Sequence, residues 1–427
     1  MSQPVVGPVK KRFVVLDALR GFALLGIILA NFPEFSLWTF QSDEALLQLP
    51  SPDTDRHLRF LLYVFVDGKF YTIFSILFGI GFSIIIGNAI KKGANGVRIF
   101  YRRMIVLAII GLAHLLLIWS GDILLLYALM GMLLPLFWHC SDRGLLRWAT
   151  FFLLLPIGIE VVRWCAGWSL ADVPYRLWWD TCARYGITEE NFGTWLRDAE
   201  SYRAMSQFLM QGAWERLWEL VEGNRYFKVL GLFLIGLYIG RRRLYAAITP
   251  ANLGDAAPTT FTGDAGRVLR MLRRIAGWGS AIGLPLSIVY AWSATHGHPF
   301  GNIVHCVLYT FSVYPLAFAY IAAFSLLFHR AHQAIIWSLF AFSGRMALTN
   351  YLSQSLCGVA LFYGIGLGMG SHTTLVTTEV LAISVFLGQI LVSALWLKYF
   401  QFGPLEWVWR MLTYGRRMPI RKEPSGK

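Results

Sequence analysis

FVVLDALRGFALLGIILANF, residues 13–32, is an apolar run long enough to cross a bilayer as a helix rising about 1.5 Å per residue. Three polar residues interrupt it: Asp17, Arg20 and Asn31. An ionised group in hydrocarbon costs several kcal/mol unless it is paired or faces a protein interior. Asp17 and Arg20 stand at i, i+3, on one helical face, where they can pair. The helix is therefore expected to look inward, at other helices.

The rest of the chain extends this reading. Of 427 residues, 56% are hydrophobic and 15% charged, and the mean hydropathy is +0.53, far from the make-up of a soluble globular domain. The expected fold is all-α, a polytopic integral membrane protein. The formal charge of +14 does not mark nucleic-acid binding, because the basic residues come in short clusters beside apolar runs. Membrane lipids are the expected surroundings. Cys140, Cys165, Cys182, Cys306 and Cys357 show no CxxC and no metal-like spacing. They read as structural, with a Cys165–Cys182 disulfide outside the membrane as one option, and no metal is expected. Lys10, Lys11 and Arg12 ahead of the first run imitate a signal peptide, but the run is too long and no small-x-small cleavage site follows. A retained signal anchor is expected.

About ten spans are predicted: residues 13–32, 70–90, 104–119, 123–138, 148–162, 226–240, 275–292, 303–328, 341–363 and 375–396. A shorter apolar piece, 60–66, lies at the interface or re-enters. The division is an N-terminal bundle of five spans (1–162), an extracytoplasmic amphipathic segment rich in Trp, Tyr and acids (163–225), and a C-terminal bundle (226–427). The last carries a cytoplasmic linker (244–270) and a basic tail. Both termini are expected in the cytoplasm, since that placement puts the basic loops 91–103, 143–147, 241–274 and 329–332 and the tail inside, and the acidic loops outside. Gly79, Gly81, Gly87, Gly236 and Gly240 are expected to allow close helix approach.

Several polar residues within these spans can carry chemistry. His114, in GLAHLLLIW, stands about 16 Å of helix rise beyond Arg103. Buried, it is either a hydrogen-bonded structural residue or a neutral general base. Asp122 either caps the next helix or orients His114. Asn31, Asp67, Lys69, His114 and Asp122 share the outer half, where they form either a site, since they come from three different spans at similar depth, or a solvated outer rim. Arg20, Arg102 and Arg103 lie on the inner side, where they bind anionic phosphates or, for Arg102 and Arg103, simply anchor the span. Asn350 and Gln354, at i, i+4 in GRMALTNYLSQS, either contact substrate or hydrogen-bond between helices. FGPLEWVWRML reads as an interfacial helix with Glu406 and Arg410 paired at i, i+4. The chain has no GxSxG, Walker A, HExxH or dinucleotide GxGxxG.

LDALRGFALLGIILAN, DGKFYTIFSILFGIGFSI, RRMIVLAIIGLAHLLLIWSGDILLLYALMG, GRMALTNYLSQS and FGPLEWVWR, in that order over nearly the whole chain, resemble the motifs of the YeiB-like bacterial membrane proteins. The first motif, with Asp17, Arg20, Gly21 and Asn31, is also similar to that of the lysosomal heparan-alpha-glucosaminide N-acetyltransferase, which is placed with them in a transmembrane acyltransferase superfamily. That enzyme moves acetyl groups from cytosolic acetyl-CoA to an amino sugar across the membrane, with an asparagine and a histidine on the non-cytosolic side. Asn31 matches the asparagine. The histidine's place falls near Gln41 or Ser42, so His114 is taken as the replacement base.

The resemblance implies a membrane-bound acyltransferase in the bacterial inner (cytoplasmic) membrane. Acyl-CoA (acetyl-CoA) is the donor, with Asp17, Arg20, Lys69, Arg102 and Arg103 toward it. His114, Asn31 and Asp122 do the catalysis, and Asn350 and Gln354 contact a small-molecule or glycan acceptor. A homodimer is left open. A transporter or exporter of a small amphiphile is the alternative, and the absence of internal repeats favours the enzyme; a non-catalytic partner or sensor is a third option.

Overall fold

The computed structural model describes residues 13–248 and 264–422. Lys10 to Arg12, residues 249–263 of the expected linker and the end of the tail lie outside the described residues. Among those described, all regular secondary structure is helical apart from one isolated bridge, Phe400 to Arg421. The helices are α1 (Val14–Phe35), α2 (Asp43–Leu47), α3 (Pro52–Phe65), α4 (Lys69–Lys91), α5 (Gly96–Leu117), α6 (Leu124–Gly131), α7 (Asp142–Ala166), α8 (Asp172–Tyr185) and α9 (Glu189–Phe192). There follow α10 (Trp195–Asp198), α11 (Tyr202–Glu222), α12 (Arg225–Arg242), α13 (Ala265–Thr295), α14 (Gly301–Arg330), α15 (Ile335–Arg345), α16 (Ala347–Phe362), α17 (Leu375–Tyr399) and α18 (Pro404–Tyr414).

Seven stretches are long and apolar enough to cross a membrane: α1, α3 with α4, α5, α7, α13, α14 and α17. The architecture is all-α and multi-pass. Three expected spans take other forms. Residues 123–138 split into the short α6 and a 3-10 turn at Leu134–Phe137 containing Pro135, where proline removes a backbone donor. Helix α12 holds Arg225, Lys228, Arg241 and Arg242 within its 18 residues. Residues 341–363 break at Met346 between α15 and α16. The freed N–H groups of Leu348 and Thr349 are taken by the Glu406 carboxylate at 2.7 and 3.0 Å, which also accepts the Thr349 hydroxyl at 2.7 Å. Glu406 is thus spent on capping α16.

Helix α1 continues through Pro33 to Phe35, so Asn31 stands inside the last turns rather than closing the helix. It is packed into the C-terminal half, against α15, α16 and α17. The crossing with α15 is made of glycine: a Cβ on Gly21 would stand 1.9 Å from the Phe340 carbonyl oxygen, and one on Gly344 1.9 Å from that of Asp17. Gly79 of α4 and Gly236 of α12 meet in the same reciprocal way. Gly81 and Gly87 behave differently, with no atom within 4 Å of a built Cβ. Residues 163–225, expected outside the membrane, hold α8 to α11, with Trp178, Phe192 and Phe208 packed together. All five cysteines are free, so Cys165 and Cys182 form no disulfide.

Candidate functional site

A cavity of ≈ 2400 Å³ runs along the inner faces of α1, α4 and α5. Two of the helices give it residues at both ends, Arg20 and Glu34 from α1 and Lys91 and Tyr71 from α4, while α5 gives Arg103 at one end and Leu107 along the middle. Tyr71 and Lys91 are separated by about 30 Å of helix rise, the thickness of a bilayer's hydrocarbon core. Arg20, Lys91, Lys92, Arg103, Arg410 and Arg417 line one end, and Asn31, Glu34, Asp67, Arg216, Arg225 and Lys228 the other. Between them the wall is apolar, with Leu77, Met104, Leu107 and Leu124. The open faces of Gly81 and Gly87 border this space.

At the basic end, Arg20 pairs with Asp17 at 2.6 Å, and both line the cavity. The Arg103 guanidinium lies 3.4 Å from the centroid of the Trp409 ring, and the Trp409 indole N–H donates to the Arg103 carbonyl at 3.0 Å. Arg102 instead donates to the Leu412 carbonyl at 3.3 Å and is not among the lining residues. Together these contacts dock α18 on α5. Burial raises the Glu406 carboxyl above its ordinary range, against the bonds from Thr349 and Leu348.

At the opposite end, Arg216 of α11 holds the Ser120–Asp122 turn. Its Nε donates to the Asp122 carbonyl at 2.9 Å and Nη2 to that of Gly121 at 3.2 Å, while Nη1 meets Glu219 at 2.6 Å. Tyr290 donates to Asp67 at 2.7 Å, and the Tyr71 and Tyr309 hydroxyls are 2.6 Å apart.

His114 sits behind this wall. Its Nδ1 is 2.8 Å from Asp122 Oδ2 and its Nε2 2.9 Å from Ser355 Oγ. A carboxylate can only accept, so Nδ1 carries the proton, and in the neutral imidazole Nε2 then accepts from the serine. Asp122 Oδ1 also accepts the Leu125 N–H at 2.7 Å, so the aspartate both caps α6 and orients the histidine. The connectivity is that of a Ser–His–Asp triad. Yet none of the three is among the lining residues, and His114 is 1% exposed. Tyr351, one turn before Ser355, reaches the cavity, its ring centroid 5.4 Å from that of His114.

Of the sequence-selected residues, the cavity brings together Asp17, Arg20, Asn31, Asp67 and Arg103. Lys69 is fully buried and donates to the Tyr63 carbonyl at 2.7 Å, away from the lining. Asn350 and Gln354 belong to a network between helices: Asn350 donates to Ser343 and Ser393, and Gln354 to Gln389 at 3.0 Å. Sequence reading missed Glu34, Arg216, Arg225 and Lys228. Glu34 was legible in principle, three residues after Asn31 on the same face, but Pro33 suggested that the helix had ended.

The fold and the cavity define a multi-pass helical membrane protein with charge at both ends of an internal space. Residues 259–416 match a family model described as "Protein of unknown function (DUF418)". Over 96% of both chains this protein is 30% identical to the "Uncharacterized 39.9 kDa protein in amylase 3'region" of Bacillus acidopullulyticus. It is 27% identical to "Uncharacterized protein YxaH" of Bacillus subtilis, over 97% of both chains. It is also 27% identical to "Uncharacterized protein YeiB" of Escherichia coli, over 97% of this chain and 100% of that one. The chain belongs to this YeiB-like bacterial family. No solved structure matches it.

Proposed function

We propose that the protein is a membrane-bound acyltransferase that passes an acyl group from cytoplasmic acyl-CoA to an extracytoplasmic hydroxyl or amine. The observation that carries the reading is one continuous cavity joining a basic end to a polar one through an apolar middle. Orientation follows from the loop charges: the basic end faces the cytoplasm, in the bacterial inner membrane, with both termini inside. About ten crossings result if α6 with its 3-10 turn, α12, and α15 with α16 also traverse the bilayer inside the bundle.

Arg20 and Arg103, with Arg410 and Arg417, face the phosphates of the donor. The acyl chain extends along Leu77 and Leu107 toward Asn31, about 16 Å of helix rise from Arg20. There the acceptor oxygen or nitrogen attacks the thioester carbonyl. Glu34 takes the acceptor's proton, Asn31 donates to the carbonyl oxygen, and the carbon–sulfur bond breaks as the proton passes to the leaving sulfur. The products are the acylated acceptor and CoA thiol. His114 and Asp122 are positioning residues, fixing the Gly121 turn and α16 behind the reaction space.

The test is thiol release from acetyl-CoA by purified protein in liposomes with a mixture of amine and hydroxyl acceptors. Glu34→Gln should lower release by about two orders of magnitude or more with folding intact. Wild-type protein that neither binds nor consumes acyl-CoA overturns the proposal. The same continuous cavity also suits a carrier of a small amphiphile. Proton-coupled uptake into vesicles free of acyl-CoA would select that reading.

A further inference from the structure

Lys228, in the first turn of α12, is 7% exposed and lines the cavity at the Asn31 end. Among the described residues no carboxylate or carbonyl oxygen lies within hydrogen-bonding distance of its ammonium. Its contact is the face of Tyr309, 4.0 Å from the ring centroid. A ring face returns only part of what an ammonium loses on leaving water. The carboxylates beside Lys228 are engaged elsewhere, while Glu219 and Glu34 face Arg225. Glu160 and Glu222 hold Arg163 at 2.8 and 3.0 Å, Glu219 holds Arg216, and Asp67 accepts Tyr290. Arg225 lines the same space one turn earlier on α12, at a helix N-terminus whose first N–H groups favour an anion.

We infer that this end of the cavity is a binding site for a phosphate-type oxyanion, held by Lys228 and Arg225 at the start of α12. Two cations on one helix face and the helix N-terminus suit a doubly charged tetrahedral group. Resting on the acyl-transfer reading, the site makes the acceptor a phosphate-bearing molecule, anchored at Lys228 with its nucleophile toward Asn31 and Glu34. A lipid headgroup and a soluble phosphate ester share this chemistry.

The experiment is calorimetric titration of the purified full-length protein with inorganic phosphate and with dioctanoyl phosphatidic acid, dioctanoylglycerol serving as the uncharged control. Acetyl-CoA binding is measured in parallel. Lys228→Met should weaken the phosphate-bearing probes by about tenfold or more, and Lys228→Arg should restore part of the loss. Acetyl-CoA affinity should not change. Arg225→Gln repeats the test if the methionine variant fails to fold. Preference for phosphatidic acid over inorganic phosphate identifies a lipid headgroup; equal affinity identifies a soluble group. Wild-type protein that binds neither probe, or variants that bind both like wild type, overturn the inference. Phosphate binding that depends on Lys228 in a protein that ignores acetyl-CoA supports the site and sinks the acyl-transfer reading alone.

Discussion

Replacing His114 by leucine separates a positioning histidine from a catalytic base. The change deletes both ring hydrogen bonds and leaves Asp122 Oδ2 and Ser355 Oγ facing an apolar side chain. Both residues are no more than 2% exposed. Stranding a buried neutral group costs about 1–3 kcal/mol, and stranding a buried carboxylate costs more. Asp122 keeps its bond from the Leu125 N–H, which holds the loss to about 4 kcal/mol. A fall in unfolding temperature on the order of 5–10 °C should follow, read from tryptophan fluorescence of purified protein. His114→Gln, able to donate to Asp122, should recover part of that fall. Thiol release by either variant should decline only with the displaced Gly121 turn, far less than with Glu34→Gln. An unfolding temperature equal to wild type, with release abolished, would refute the reasoning and return His114 to the reacting atoms.

Four further substitutions probe the frame around the site. Gly344→Val places side-chain atoms against the Asp17 carbonyl, where even a Cβ would stand 1.9 Å away. It should cost about 1–3 kcal/mol or more, whereas Gly87→Val, which meets nothing within 4 Å, should not lower the unfolding temperature. Gly81 borders the cavity and a Cβ there meets nothing within 4 Å, so Gly81→Phe should project into that space. Stability should stay within about 0.5 kcal/mol, while turnover of long-chain acyl-CoA falls more than that of acetyl-CoA in the thiol-release assay. Glu406 has a carboxyl raised by burial from its ordinary 4.5. The folded state therefore holds its proton more tightly than the unfolded chain. Stability should fall as pH rises from 4.5 through the raised folded value, and level off above it. Thermal unfolding across that window should show the slope in wild type and its loss in Glu406→Gln.

What the sequence could and could not reveal divides along physical lines. The pairing of Asp17 with Arg20, the burial of His114 and the cap at Asp122 are local or burial-driven, and periodicity plus desolvation cost exposes such features. The glycine crossings were legible as small residues, but their partners were not. Gly21 needs Gly344 because two backbones meet there, and no spacing rule joins residues so far apart in the chain. Lys69 illustrates the converse. A lysine beside an apolar run reads as a ligand contact, yet its side chain folds back on the Tyr63 carbonyl, an outcome fixed by the turn at Gly68 (φ 74°). Glu406 likewise looked like half of an i, i+4 pair until the break at Met346 created N–H groups in need of an acceptor.

Glu34 shows why the site itself stayed hidden. Proline discourages a helical residue before it and withholds one backbone hydrogen bond, so ANFPEF reads as the end of a span. In the fold, Phe35 and Phe32 pack under Phe362, Trp119 and Tyr363, and this tertiary burial carries the helix past Pro33. The extra turn brings a carboxylate to the face already occupied by Asn31 and Arg20. A single helix then carries a cation at one end of the cavity and a carboxylate at the other. Mutating Phe35 to serine should shorten α1 at Pro33 and withdraw Glu34 from the cavity, so that thiol release falls as it does in Glu34→Gln.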